Sequence, residues 1–420
     1  DMCSMFNSCK ELKTINLSGF DTQNVEDMRY MFYLCKSLES LDLSNFNTQK
    51  VTLMDNMFNQ CLQLTSLDLS NFDTQKVTKM NNMFYYCTGL KTVDISNFNT
   101  QAVKDMSSMF GYCTNLATIY VGENFETTNA RYSNNMFYNC PLLKGALPKY
   151  NENKTNRTFA NYKKGYFTKL VGKNGDEKIG AVGETLTAES LTLDDEKDFV
   201  AYEPFAAKVA SYSRTIKTGN PWATLCLPFE VSLEGKNFRA FKLLSADDAK
   251  ETVELEEIET SIAAGTPVII KMNNGETTLN FIEADKEIAH KVVSAADGGY
   301  QLQGLYTQKE FNKDADNNCY IVKGDKLMNP AKLLANTKVT KVASKPFRAY
   351  MVDNSSTPAA GAKMFSIGFD NDGTTAIDTL NTIADDKAEY YDLQGKRLNE
   401  PQKGINIVKR GGKTMKVIIK

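Results

Sequence analysis

SLESLDLSNFNTQKVTLMDNMFNQC, residues 37–61, nearly copies the text before it and is nearly copied by the text after it. Laid over itself, the chain locks into register at a 26-residue step: Cys9, Cys35, Cys61, Cys87 and Cys113 keep it, and Cys140 follows after 27. The Met-Phe pairs at Met5-Phe6, Met31-Phe32, Met57-Phe58, Met83-Phe84, Met109-Phe110 and Met136-Phe137 recur with them, as do Leu17, Leu43, Leu69, Ile95 and Val121. A period of this length marks a solenoid, whose units cannot close their own cores and so stack on their neighbours.

Within one unit, Leu41 and Leu43 alternate with Asp42 and Ser44, as a strand with one buried face requires. Asn47-Thr48 then offers capping oxygens. Val51, Met54, Met57, Phe58 and Cys61 follow at offsets that share one helical face. The expected coil is a strand plus a short helix, and five coils at ~4.8 Å each make a stack roughly 25 Å long.

The unit MFxxCxxLxxLDLSNFDTQxVxxM resembles the 26-residue repeat of BspA-like bacterial surface proteins, a branch of the leucine-rich repeats, over about residues 1–147. That resemblance implies a surface-exposed, non-catalytic scaffold for adhesion or partner binding. The last unit departs from the pattern, with Ile119-Tyr120-Val121-Gly122 for its strand and Pro141 after Cys140, which reads as the end of the solenoid. Met2, Met5 and Phe6 fall in phase with Met28, Met31 and Phe32, so the chain is expected to begin in mid-coil, with any signal peptide and cap upstream.

Residues 149–165 are polar and basic and read as a connection or capping hairpin. Beyond them, short apolar runs such as ATLCLPFEV, TPVIIK and FRAYMV alternate with turn residues, which suggests an all-β sandwich or jelly-roll-like domain. Tyr212, Arg214, Trp222, Thr224, Leu225, Pro228, Phe229, Gly265, Thr266 and Pro267 make this part similar to a β-rich module found beside repeats in exported Bacteroidetes proteins. The tail, EYYDLQGKRLNEPQKGINIVKRGGKTMKVIIK, is similar to C-terminal segments of Bacteroidetes surface proteins, sorting domains among them; a small hairpin packed on the β domain is the alternative. The expected organisation is multidomain: an α/β leucine-rich-repeat solenoid over 1–147, a cap or linker over 148–165, a β-sandwich-like domain over 166–375 and a small β tail over 376–420.

Of the 420 residues, 42% are apolar and the net charge is -2, so no basic footprint points to nucleic acid. No run approaches the ~18 apolar residues that a membrane span needs. Nine cysteines leave at least one thiol unpaired. The six in the ladder recur at core-like offsets and read as buried, reduced fillers, although ~5 Å between neighbours would permit bridging. No cofactor and no metal site is expected, because clustered His or Cys ligands are lacking.

Candidates for catalysis are few. The single histidine, His290, alternates with apolar residues in EIAHKVV and reads as structural. Asp194-Asp195-Glu196 and the Glu254, Glu256, Glu257, Glu259 run read as solvated turns and faces, and Asp370-Asn371-Asp372-Gly373 lacks the remaining ligands of a calcium loop. Trp222 reads as core.

Two surfaces could bind a partner. On the strand face Asn16, Asp42, Asp68, Asp94 and Tyr120 form one outward row, whose stacked carboxylates need relief from neighbouring Ser and Asn or from a cationic partner; the neighbours are the favoured source. On the other side Tyr33, Tyr85, Tyr86, Tyr112 and Tyr138 form a patch suited to protein or sugar, unless they pack against the next coil. The expectation is a non-enzymatic cell-surface or secreted adhesion protein that binds a host or bacterial surface protein or glycan. The alternatives are a glycan-handling lectin or carboxylate-based hydrolase sited in the β domain, and a structural spacer.

Overall fold

In the computed structural model, residues 1–219, 221–273, 275–293, 299–335, 338–355, 364–367, 389–392, 396–398, 404–410 and 413–419 are described. The 26-residue units stack as parallel coils. Their strand sides pair in register through β1 (Ser66–Asp68), β2 (Thr92–Ile95) and β3 (Thr118–Val121). Their opposite sides are joined by a ladder of single parallel bridges, Asp27 to Leu53 to Lys79 to Asp105 to Tyr132.

The expected helix does not form, and the strand-plus-helix, α/β leucine-rich class falls with it. The residues predicted to share a helical face are all buried, Val51, Met54, Met57, Phe58 and Cys61 among them. The backbone that carries them, however, is a chain of tight turns. Asn82 and Tyr86 are left-handed, at φ 54° and 58°, and the same two places recur as Asn56 and Gln60, Ser108 and Tyr112, and Asn135 and Asn139. A left-handed residue every fourth position interrupts an α-helix.

Hydrogen-bond accounting supplies the reason. The amides of Met83, Tyr85 and Cys87 close turns onto the carbonyls of Met80, Asn82 and Phe84 at 3.1–3.3 Å. The alternate amides, of Met80, Asn82, Phe84 and Tyr86, reach Asp105, Ser107, Met109 and Gly111 of the next coil at 2.9–3.0 Å. Every second donor is thus taken by a neighbour, which leaves no continuous set for a helix. Thr48 and Thr74 likewise do not cap helices: each hydroxyl donates at 2.9 Å to a carbonyl one coil on, Asp73 and Asn99.

Inside, Phe6, Phe32, Phe58, Phe84, Phe110 and Phe137 stack with ring centroids 5.2–5.8 Å apart. The nine cysteines are free thiols. Those of Cys61, Cys87, Cys113 and Cys140 lie 3.0–3.3 Å from the carbonyl of the phenylalanine one coil back. Residues 148–165 cover the last coil, with Tyr150, Phe159 and Tyr162 packed on its core and the Phe137 amide bonded to the Thr155 carbonyl at 2.9 Å.

The sheet of the stack does not stop there. β4 (Thr168–Asn174) pairs parallel with β3, and β5 (Glu177–Ala181) pairs antiparallel with β4. The rest of the described chain is β-rich; its one α-helix is Pro330–Ala335. A nine-stranded sheet running from Trp222–Leu225 to Tyr300–Gly304 curls until Tyr300–Gly304 meets Phe238–Asp247. Trp222, Phe241, Ile269, Tyr320 and Met351 fill its inside, while Ala223, Ala240 and Ile270 on alternate positions share a second core with strands Phe205–Thr215 and Thr278–Ile288. In the tail, strands Glu389–Tyr391, Arg397–Leu398, Gly404–Arg410 and Lys413–Ile419 form one four-stranded antiparallel sheet. Among the described residues no helix is long and apolar enough to cross a membrane.

Candidate functional site

The acidic row is assembled by the repeat and then partly closed by the β region. In each coil the carboxylate accepts the amide two residues on, Ser44 for Asp42, Ser70 for Asp68 and Ser96 for Asp94, at 2.9 Å. That bond holds the Asp42 carboxyl below the ordinary range. These are the neighbours expected to relieve the row, but they are not the whole answer. Lys178 on β5 reaches across two coils and pairs with Asp68 at 2.6 Å and with Asp94. Asp94, expected to face outward, is therefore buried.

One strand away, Lys169 of β4 is buried between Glu123 at 2.8 Å and Glu203 at 2.7 Å. Burial lowers its affinity for the proton, but the two carboxylates outweigh this and raise its pKa. The cleft left between stack and β region, about 570 Å³, is lined by these same groups. Lys169 and Lys178 are paired with its carboxylates Glu123, Glu203, Asp68 and Asp94, and these pairs make it a clasp between the two regions.

The tyrosine surface lies on the turn side. Tyr86 and Tyr112 stack at 4.4 Å between centroids and 10° between planes. Tyr85 meets both edge-on at 5.0 and 5.6 Å, and Tyr138 meets Tyr112 at 5.3 Å. Gly111 makes this possible: a Cβ there would stand 3.0 Å from the Tyr85 ring, so the missing side chain is the slot that Tyr85 fills. Tyr86 and Tyr138 remain 38% and 44% exposed. Burial raises the Tyr85 and Tyr112 phenols above their ordinary range, so these two are uncharged at neutral pH. Tyr33 does not join it. Its ring packs on Tyr30 at 5.5 Å, and in the intervening coil its register position is occupied by buried Asn59.

Other candidates resolve differently. His290 is half-buried just past strand Thr278–Ile288. Glu256 and Glu257 are surface partners of Lys242 and Arg239. Trp222 packs on Phe241 at 5.7 Å. Asp370-Asn371-Asp372-Gly373 lies outside the described residues. Asp195, read as solvated, is not: Arg348 grips it with two bonds of 2.6 and 2.8 Å, and the Tyr212 hydroxyl donates to it. Neither Lys178 nor Arg348 could be found from the repeat, since both come from segments far along the chain.

Residues 1–118, and again 54–168, match a family described as "Mycoplasma protein of unknown function, DUF285". The two alignments overlap, as a repeating unit permits, and the second ends at the first residue of β4. No curated protein and no solved structure matches the chain.

Proposed function

We propose that the chain is a non-enzymatic recognition protein that acts at or outside the cell surface, with the tyrosine ridge of the coil stack as its contact for a protein or glycan. The observation that carries this reading is the ridge itself: four tyrosines from three successive coils brace one another while two of them stay exposed. Braced aromatic rings offer apolar area and a hydroxyl with little conformational entropy left to lose on binding. The ladder-bonded turns beneath them supply a stiff base. The likeness of the repeat unit to surface-protein repeats supports the placement outside the cell.

The test is an array of matrix proteins and glycans probed with the full chain and with a Tyr85→Ala, Tyr86→Asn, Tyr112→Asn variant. Asparagine is chosen at 86 and 112 because both positions are left-handed, which asparagine tolerates. Binding lost by a variant that keeps its circular dichroism and melting temperature supports the ridge. Binding that survives, or no binding by the parent chain, overturns it.

A further inference from the structure

Asp195, Tyr212, Arg214 and Arg348 come from the turn after strand Leu191–Leu193, the end of strand Phe205–Thr215 and the start of strand Ala349–Asp353. They meet at the wall of a cleft of about 590 Å³, well within the size range of small-ligand sites. The cleft opens where the two sheets of the β region approach each other. Strand Trp222–Leu225 has no ladder to Ala349–Asp353, and the gap is bridged by Thr224, whose hydroxyl donates to the Ala349 carbonyl at 2.8 Å and accepts its amide at 2.9 Å.

The charges on this wall do not balance. Asp195 is fully used by Arg348 and the Tyr212 hydroxyl. On the rim Lys345 pairs with Glu196. Arg214 has no carboxylate partner among the described residues: one amino group donates to the Thr224 carbonyl at 2.8 Å, and the Tyr212 hydroxyl is its other polar neighbour. Lys217, which also lines the cleft, likewise has no carboxylate partner among the described residues. A largely buried guanidinium facing neutral acceptors is costly, and its fork of donors matches an oxyanion in two-pronged geometry. Burial, and then the like charge of Arg348, bring the Arg214 pKa down to about 10, the direction expected of a cation awaiting a counter-charge.

We propose that this cleft binds a small ligand through an oxyanion group, a carboxylate or a sulfate, held by Arg214 and Lys217 with Ser213 and Ser344 beside it. The rest of the ligand would lie along Ile216, Ile321 and Val322, which give the cleft its apolar part. Arg348 and Tyr212 are positioning residues here: they occupy the Asp195 carboxylate, so that it acts on Arg214 through space and forms no ion pair with it.

The chain contains one tryptophan, Trp222, and it lines the cleft, so its fluorescence reports on the site. The full chain is titrated with sodium acetate, sodium glucuronate and sodium sulfate at constant ionic strength, with chloride as the balancing salt. The expected result is a saturable change with at least one of the three, weakened at least tenfold in Arg214→Gln and in Lys217→Glu. A planar carboxylate that binds while sulfate does not assigns the group as carboxylate, and the reverse assigns it as sulfate. A linear, non-saturating response to all three overturns the proposal, as does an equal affinity in the folded Arg214→Gln protein. Should Arg214→Gln fail to fold, Lys217→Glu, an exposed position, decides: an unchanged affinity there overturns the proposal.

Discussion

Lys178 of β5 forms an ion pair with Asp94 of β2, a carboxylate that the coil stack alone would leave facing water. The pair ties the repeat to the β region that follows it. Lys178→Met leaves Asp94 buried without a counter-charge and is expected to cost about 2–4 kcal/mol, less than a fully buried pair because the lysine is 28% exposed. Adding Asp94→Asn should return most of that loss. Urea unfolding of the two variants measures both. The Lys178 pKa is raised in the folded state, burial opposing and the two carboxylates prevailing. Its contribution is therefore present below the unfolded lysine value and should fade as pH rises past it toward the folded value.

Asp55 carries the opposite sign. It is 7% exposed, one carboxylate oxygen has no partner, and burial raises its pKa despite the Asn56 bond. A carboxyl raised in the folded state binds its proton more tightly there, so it weakens the fold once pH exceeds the unfolded value near ~3.9. Asp55→Asn should therefore stabilise the protein by about 1 kcal/mol at neutral pH, and the gain should vanish in acid. Melting curves at pH 7 and pH 3.5 test the sign; a loss of stability at neutral pH would refute it.

Of the six ladder cysteines expected to be buried, Cys9 is exposed, and only the other five, Cys35, Cys61, Cys87, Cys113 and Cys140, should be chemically silent. Burial pushes the Cys35 thiol up to about 11 and those of Cys87 and Cys140 up to about 12, while Cys9 is exposed and Cys3 half-buried. Because the thiolate is the reactive form, iodoacetamide on the native protein should label Cys9 and Cys3. All nine should label in guanidinium. Peptide mass spectrometry counts them, and labelling of Cys35, Cys61, Cys87, Cys113 or Cys140 in native buffer would contradict the packing.

Position in the stack should set the cost of a lost ring. Phe84 is fully buried between Phe58 and Phe110, whereas Phe6 is only partly buried and stacks on Phe32 from one side of the ladder. Phe84→Ala should cost about 3–5 kcal/mol, and Phe6→Ala clearly less. Chemical denaturation of the pair gives the comparison directly.

Burial in the stack was legible from the repeat because every inner coil has the same neighbours. Met54, Phe58 and Cys61 must recur where their copies recur, and all three are fully buried. Conformation was not legible. The offsets of Val51 to Cys61 suit a helix face, but they suit equally a row of turns whose alternate amides are taken by the next coil, and that choice is made between coils. Tyr85, Tyr86 and Tyr112 could be named from the repeat, whereas the slot at Gly111 that lets their rings meet, and the separation of Tyr33 from them, required the stacked geometry.

The period, the buried ladder and the strand-and-turn grain of the second half can be read from residue order alone, because these depend on neighbours one residue or one repeat away. That Lys178 neutralises Asp94, and that Arg348 claims Asp195 while Arg214 forms no ion pair, emerges only when the chain is packed. Charge pairing depends on distance in space, and the partners lie on segments whose separation along the chain carries no periodic signal.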